Sequence, residues 1–105
     1  MEENFIDNVK QIILNHLDDE KFGVNELASE IGLSKSQTLR KVKSVSGKSI
    51  NQFIKETRLQ EAAKLIVETD LNASEICYKT GFSSPSYFNK CFKLFIFQFF
   101  NKTVN

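Results

Sequence analysis

The sequence predicts an all-α fold in which two short helical hairpins flank one long helix, with about six to seven helices in total. Three observations favour this fold. Apolar residues recur at the three-and-four spacing that places them on one face of a helix. Only four glycines and one proline interrupt the 105 residues, so most of the chain is free to be helical. Helix-capping patterns also recur where these segments begin.

The first helix extends from near the N-terminus to about Asp19. Its apolar face is formed by residues at helical spacing: Phe5, Ile6, Val9, Ile12, Ile13 and Leu17. Polar residues such as Asp7 and Lys10 occupy the other face. The segment from Asp18 to Gly23 is largely polar and ends in glycine, so it is predicted to be a connector.

The first hairpin, about residues 24–47, consists of two helices separated by a three-residue turn. Its first helix presents Leu27 and Ala28 inward and ends at Gly32, where glycine adopts the left-handed conformation without a Cβ penalty. Ser34 and Gln37 form a capping-box pattern that begins the next helix. Two short helices across such a turn are typical of a helix-turn-helix unit.

The long linker helix covers about residues 49–69, and Ser49 with Gln52 repeats the capping-box spacing at its start. A second hairpin follows over about residues 72–95. Its first helix begins at an Asn72-x-x-Glu75 pattern and ends near Gly81, and its second helix begins at Pro85, a residue suited to the first helical position. We therefore predict one domain over residues 1–95 and an atypical apolar tail over residues 96–105.

The second hairpin repeats the first. The stretch from Glu26 through Gly32 to Ser34 aligns without a gap with the stretch from Glu75 through Gly81 to Ser83. One extra residue after the turn then brings Arg40-Lys41-Val42-Lys43 over Lys90-Cys91-Phe92-Lys93. A linker of about 20 residues spans about 30 Å, close to the ~34 Å repeat of B-DNA. The spacing therefore predicts two recognition helices that enter successive major-groove segments.

Charge is distributed unevenly along the chain, although the net charge is only +1. Residues 1–30 carry two lysines and eight acids, or −6, whereas residues 31–64 carry eight basic residues and two acids, or +6. A basic middle favours attraction of phosphate, because the local field and not the total charge steers a polyanion. Considered alone, the pattern is equally compatible with a solvated charged face.

Four stretches carry residues in a fixed spacing. They are Leu27-Ala28-x-x-Ile31-Gly32-Leu33-Ser34, Ser36-Gln37-x-x-Arg40-Lys41-Val42-Lys43-x-x-x-Gly47-Lys48-Ser49, Phe53-Ile54-x-x-x-Arg58-Leu59-x-x-Ala62-Ala63-x-Leu65, and Ile76-x-x-x-x-Gly81-Phe82-x-x-x-Ser86-Tyr87-Phe88-x-Lys90-x-Phe92-Lys93. Together they resemble the AraC/XylS-type DNA-binding domain over about residues 5–95. The resemblance implies a seven-helix, homeodomain-like domain of two lobes that binds promoter DNA and recruits or positions RNA polymerase. The Ser36-Gln37 pair and the 84–88 stretch are most similar to C-terminal domains of hybrid two-component regulators.

The sequence departs from the family pattern after Lys93. The family continues with an aromatic-Gly pair and a proline-containing short helix that ends in Tyr-Arg, whereas residues 94–100 here are largely apolar, uncharged and free of proline. Such a segment is associated with aggregation when it is exposed. We expect this tail to extend the final helix or to mediate self-association.

Contacts to base edges specify a DNA sequence, whereas contacts to phosphate position the protein. The residues predicted to contact bases are Ser36, Gln37, Arg40, Ser86, Asn89 and Lys90. Arg40 is the strongest candidate, because a guanidinium pairs with guanine O6 and N7, and Gln37 pairs similarly with adenine. The alternative for Arg40 is an exposed arginine that contacts only solvent.

Lysines and the amides at helix starts favour an anion. The residues predicted to contact the DNA backbone are Ser34, Lys35, Lys41, Lys43, Lys48, Ser83, Tyr87 and Lys93. For any one lysine the alternative is a surface charge without a partner. Four apolar residues near these positions are expected in the core instead: Val42, Leu65, Phe88 and Phe92.

The chain offers no pattern typical of an enzyme. It has no carboxylate pair, no Cys/His pair and no glycine-rich phosphate loop, and His16 stands alone beside acids. Cys77 and Cys91 have no neighbouring Cys or His that completes a metal site. We therefore expect no enzymatic activity, no metal and no cofactor. Without a signal peptide or an apolar run of ~20 residues, the sequence predicts a cytoplasmic protein without a membrane partner.

A competing interpretation is a helical protein–protein interaction or dimerisation module that does not bind DNA. That interpretation requires an apolar outward face on the helix after Ser34. The face formed by Ser36, Gln37 and Arg40 is instead polar and basic, which favours double-stranded DNA as the partner.

Overall fold

The structure is a computed structural model that describes the backbone of residues 2–104 and the side chains of residues 4–99 and 101. Over these residues the chain forms six helices and no strand, which confirms the predicted all-α fold. The helices are α1 (Glu2–Asn15), α2 (Val24–Ile31), α3 (Lys35–Ser46), α4 (Ile50–Glu68), α5 (Ala73–Lys79) and α6 (Pro85–Val104). Helices α2 and α3 form the first helix-turn-helix unit, and α5 and α6 form the second.

Two hydrophobic cores lie at opposite ends of α4. The first core is mostly aliphatic and joins α1, α2 and α3 to the start of α4; its buried residues are Val9, Ile12, Ile13, Phe22, Leu27, Val42, Ile50, Phe53 and Ile54. The second core joins α5 and α6 to the later part of α4; its buried residues are Leu59, Ala62, Ile76, Cys77, Phe82 and Phe88. Each lobe is thus held together around its own helical hairpin.

Helix α1 ends at Asn15, not near Asp19 as the periodicity suggested. A series of tight turns follows, in which the His16 N–H donates to the Ile13 carbonyl and the Phe22 N–H donates to the Asp19 carbonyl. These turns direct Phe22 into the first core, where its ring stacks on His16 at 4.7 Å between centroids. The predicted connector therefore contains a core residue, and burial of its ring explains the early end of the helix.

Helix α4 begins at a partial capping box. The Gln52 N–H donates to Ser49 Oγ at 3.2 Å, as the sequence pattern predicted. The Gln52 side chain, however, donates to Glu56 Oε2 at 3.0 Å and does not return to Ser49. A full box would place Gln52 Oε1 to accept the Ser49 N–H, and the orientation in which Gln52 Nε2 donates to Glu56 leaves that half of the box unformed.

The tail predicted over residues 96–105 continues α6 as far as Val104 and does not form a seventh helix within the described residues. Phe92 and Phe95 still pack against the second core. Leu94, Phe97 and Phe99 of the same helix are more than half exposed. The side chains of Phe100 and of residues 102–105 lie outside the described residues. No helix within the described part of the chain is both long and apolar enough to cross a bilayer.

Candidate nucleic-acid interface

The turn of the first unit fixes the start of α3. Gly32 has φ +84°, and the Leu33 N–H donates to the Ala28 carbonyl at 3.2 Å. The predicted capping box is complete: the Gln37 N–H donates to Ser34 Oγ at 3.1 Å, and the Ser34 N–H donates to Gln37 Oε1 at 3.0 Å. Two donors at the helix end are thereby satisfied, and the N-terminus of α3 has a defined direction.

The outward face of α3 is polar and solvent-exposed. Ser36, Arg40 and Ser44 lie four residues apart and are all exposed, whereas Thr38 and Val42 on the other side are fully buried. No hydrogen bond or ion pair within the described residues engages the Arg40 guanidinium. Its five N–H donors are therefore available to an external acceptor.

Gln37 differs from Arg40 because its carbonyl oxygen already accepts the Ser34 N–H. Its amide N–H donors and one lone pair of the oxygen remain. A bidentate pair with adenine, which uses both the oxygen and the nitrogen of the side chain, would share that oxygen with the capping box.

The lysines around α3 lie in three different environments. Lys35 is exposed at the first helical position. Lys43 Nζ donates to the Gly47 carbonyl at 3.2 Å, where it caps the C-terminus of the helix. Lys41 Nζ lies 4.5 Å from the centroid of the Phe5 ring, in a cation–π contact with the first helix. All three side chains remain exposed at the surface of the lobe.

Lys48 is less accessible than the sequence suggested. It is only partly exposed and forms an ion pair with Glu56, one helical turn before the middle of α4. The carboxylate offsets the lysine charge, so an approaching phosphate competes with an intramolecular partner. The predicted phosphate contact of Lys48 remains a prediction.

The second unit has the same turn but a weaker cap. Gly81 has φ +88°, and the Phe82 N–H donates to the Cys77 carbonyl at 3.0 Å. The Tyr87 N–H donates to Ser84 Oγ at 3.3 Å, so Ser84 and not Ser83 caps α6. Pro85 occupies the first helical position, as predicted.

The outward face of α6 carries the remaining predicted base contacts. Ser86, Asn89, Lys90 and Lys93 are all exposed, and Phe88 is buried on the opposite side. Neither recognition helix contains an acidic residue: α3 has four basic residues and α6 has three lysines. Both faces are therefore favourable to a polyanion.

Tyr87 is about half exposed, and its ring lies 6.2 Å from that of Phe82. A hydrogen bond between its side chain and that of Cys91 raises the pKa of the Tyr87 hydroxyl. The hydroxyl thus has a partner within its own helix. The ring edge remains accessible, and the predicted contact with a DNA backbone remains a prediction.

Sequence reasoning did not assign a role to Arg58. Its guanidinium donates to two backbone carbonyls, those of Asp19 and Gly81. The only signal for this residue was its place in the third motif of the family resemblance. His16, which the sequence leaves alone beside acids, contacts the Glu30 carboxylate of α2 through its Nε2. No group of three or more potential metal ligands occurs among the described residues.

Comparisons with known proteins agree with this geometry. A family model described as a helix-turn-helix domain matches residues 27–98. The chain is 34% identical over 93 residues to histidine kinase P4 of Formosa agariphila, and the match covers 89% of this chain but 7% of the kinase. The chain therefore spans a small fraction of that relative's length.

Two solved structures are similar over most of the chain. The first is the C-terminal domain of the two-component response regulator yesN from Fusobacterium nucleatum, with 25% identity and a TM-score of 0.75 over 88% of this chain and 95% of that one. The second is the DNA-binding domain of AdpA, a global transcriptional factor, in complex with a target DNA. It is 26% identical, with a TM-score of 0.73 over 84% of this chain and 78% of that one.

Proposed function

This chain belongs to the AraC-type helix-turn-helix family of transcription regulators, and on that premise we propose that it binds promoter DNA sequence-specifically through α3 and α6. One observation carries the proposal. The same helix-turn-helix unit occurs twice, and in each copy the second helix presents an exposed face without a single acid. A helical protein–protein interaction module does not require two exposed faces that are free of acidic residues.

The length of α4 supports simultaneous binding at two sites. Its 19 residues span about 28 Å at 1.5 Å per residue, close to the ~34 Å repeat of the major groove. We propose that α3 and α6 enter successive major-groove segments on one face of the duplex. The similarity to a domain solved in complex with a target DNA supports DNA binding by this fold.

The proposed contacts divide by residue type. Arg40, Ser36 and Gln37 contact base edges from α3, and Ser86, Asn89 and Lys90 contact base edges from α6. The exposed lysines and the amides at the two helix starts contact phosphates. Arg40 contributes most to specificity, because its guanidinium is exposed and has no competing partner within the described residues.

The regulatory context is part of the same proposal. Similarity to a histidine kinase and to a response-regulator domain supports a role as the DNA-binding output module of a two-component regulator. In that role the domain acts in the cytoplasm and positions RNA polymerase at promoters.

The decisive experiment is selection from a random duplex library. We expect the wild-type chain to enrich a motif with two half-sites about 10 base pairs apart. Arg40→Ala should cost roughly 1–3 kcal/mol of binding free energy and relax the preference at one base pair. Lys35→Ala should weaken selected and random duplexes alike and lower the salt slope by about one.

Lys64→Ala is the matched control, since Lys64 is an exposed lysine of α4 outside both recognition helices. It should change neither affinity nor preference. Enrichment of no motif, or an equal effect of Arg40→Ala on selected and random duplexes, would contradict the proposal.

A second candidate function is self-association through the tail. The exposed fractions of Leu94, Phe97 and Phe99 are 58%, 62% and 58%, which is unusual for large apolar side chains on one helix. Sedimentation of the free protein over a range of concentrations tests this function. Phe97→Ser should abolish any concentration-dependent dimer, and a monomer at all concentrations would rule out self-association.

A further inference from the structure

The two lobes meet near the middle of α4. The first core ends along this helix at Ile54, and the second begins at Leu59. Among the residues that the structure describes, no buried apolar residue belongs to both cores. The helical turn between them carries Arg58, so the relative orientation of the lobes depends on contacts at this turn in addition to the helix itself.

Arg58 bridges the lobes through backbone carbonyls. Its Nη2 donates to the Asp19 carbonyl at 2.8 Å, in the connector between α1 and α2 of the first lobe. Its Nη1 donates to the Gly81 carbonyl at 3.3 Å, in the turn of the second helix-turn-helix unit. One planar, rigid group therefore contacts both lobes, and a planar guanidinium holds its partners in a fixed geometry.

The backbones of the lobes approach closely beside this group. A Cβ atom at Gly81 would lie 2.4 Å from the Leu17 carbonyl oxygen and 2.8 Å from Arg58 Nε. No side chain fits that space. The second lobe is thus in direct contact with the first at the same turn that positions α6.

The Arg58 side chain is partly buried at this joint. Burial lowers the pKa of its guanidinium, and the charges of Asp19 and Glu20 act in the opposite direction. Its Nε atom is buried and has no acceptor within the described residues. Placing a guanidinium here costs desolvation, so a purely solubilising role is a poor explanation for it.

We propose that Arg58 is a positioning residue that fixes the angle between the two lobes and hence the spacing of α3 and α6 on DNA. The inference rests on the proposed function, since it concerns simultaneous binding of two half-sites. When two binding units are held in the correct geometry, the second binds at a high effective concentration. A variable angle lowers that concentration and leaves each unit intact.

Arg58→Met and Lys55→Met, which each remove one positive charge from α4, test the inference. Arg58→Met keeps an apolar stem and removes both hydrogen bonds to the carbonyls. Lys55→Met is the matched control, because it removes one positive charge from the preceding turn of α4 without a hydrogen bond between the lobes. Arg58→Lys keeps the charge, but one ammonium cannot reproduce the fork that spans both carbonyls.

The first measurement compares duplexes derived from the selected motif. On a duplex with both half-sites, Arg58→Met should bind roughly tenfold more weakly than wild type. On a duplex with one half-site scrambled, its affinity should equal that of wild type. Insertion of about 5 base pairs, half a turn, should weaken wild type strongly and Arg58→Met much less. Equal losses on both duplexes, or no loss on either, would overturn the inference.

The second measurement needs no DNA. Residual dipolar couplings of backbone amides report the orientation of each lobe in the whole chain. Wild type and Lys55→Met should fit one alignment tensor for both lobes, and Arg58→Met should require two. A single tensor for Arg58→Met would overturn the inference.

The two proposals fail in different ways. If the wild type enriches no motif, the proposed function fails, and the dipolar couplings still decide the role of Arg58. If Arg58→Met does not fold, Arg58→Lys carries both measurements and should give intermediate values. An Arg58→Lys protein identical to wild type in both would then overturn the inference.

Discussion

Gly32 and Gly81 occupy equivalent positions in the two helix-turn-helix units, but their surroundings differ. Both have positive φ, +84° and +88°. A Cβ at Gly32 would meet no atom within 4 Å, whereas one at Gly81 would collide with the Leu17 carbonyl and with Arg58. Gly32 provides only the positive φ that the local turn requires. The second also permits the contact between lobes, so the same sequence motif serves a second purpose in one of its two copies.

The lobes also differ in how completely their cores are covered. Helix α1 packs on α2, α3 and α4 in the first lobe, and its aliphatic residues complete that core. The second lobe consists of α5 and α6 on α4, and aromatic rings in series fill it: Phe82 with Phe88 at 5.1 Å, and Phe88 with Phe92 at 5.6 Å between centroids. No additional helix covers α6 within the described residues. We therefore expect the second lobe to be the less stable one.

The largest expected effect is the difference in stability lost when each of the two turn glycines is replaced by alanine. Gly32→Ala should lower the free energy of unfolding by about 1–2 kcal/mol, the cost of a left-handed conformation for a residue with a Cβ. Gly81→Ala should cost about 2–5 kcal/mol, since a steric clash of about 1–3 kcal/mol adds to that conformational cost. Chemical denaturation followed by circular dichroism measures both values. Equal costs would show that the contact between the lobes relaxes freely.

Thiol labelling tests the expected difference in lobe stability. Cys77 is fully buried, and its thiol donates to the Phe82 carbonyl at 3.7 Å. Burial raises the pKa of this thiol, so it remains protonated and unreactive at pH values where an ordinary cysteine has begun to form thiolate. Iodoacetamide should therefore modify the partly exposed Cys91 first, and Cys77 about a hundredfold more slowly if opening costs about 3 kcal/mol.

The rate of Cys77 labelling in a Cys91→Ala protein gives the free energy of opening of the second lobe. We expect this value to lie below the free energy of global unfolding measured by denaturant. If the two values are the same, the lobes open together and the comparison of their cores has no consequence for stability.

The smallest expected effect compares the caps of the two recognition helices. Ser34 takes part in a reciprocal box with bonds of 3.0 and 3.1 Å, whereas Ser84 accepts one bond of 3.3 Å. Ser34→Ala should cost about 1 kcal/mol and Ser84→Ala a few tenths, by thermal denaturation. A larger cost for Ser84→Ala would indicate that α6 depends on its cap more than its core contacts suggest.

Much of the fold and part of the interface could be predicted because the relevant signals are local. Helical periodicity, the boxes at Ser34 and Asn72, and the turn glycines involve residues no more than four or five apart. The repeat of these signals predicted two equivalent units and the exposed face around Arg40. The sequence could not predict that Lys48 would pair with Glu56, because that contact depends on how the start of α4 packs beside the preceding turn.

By itself, the sequence determined the order of the helices, the family, and the polar faces of α3 and α6. Tertiary structure alone decided where α1 ends, where Phe22 lies, and what Arg58 contacts. The hydrogen bonds of Arg58 join residues 23 and 39 positions apart. Contacts at such separations arise only when whole lobes pack together, so neither periodicity nor capping can encode them in a short stretch of chain.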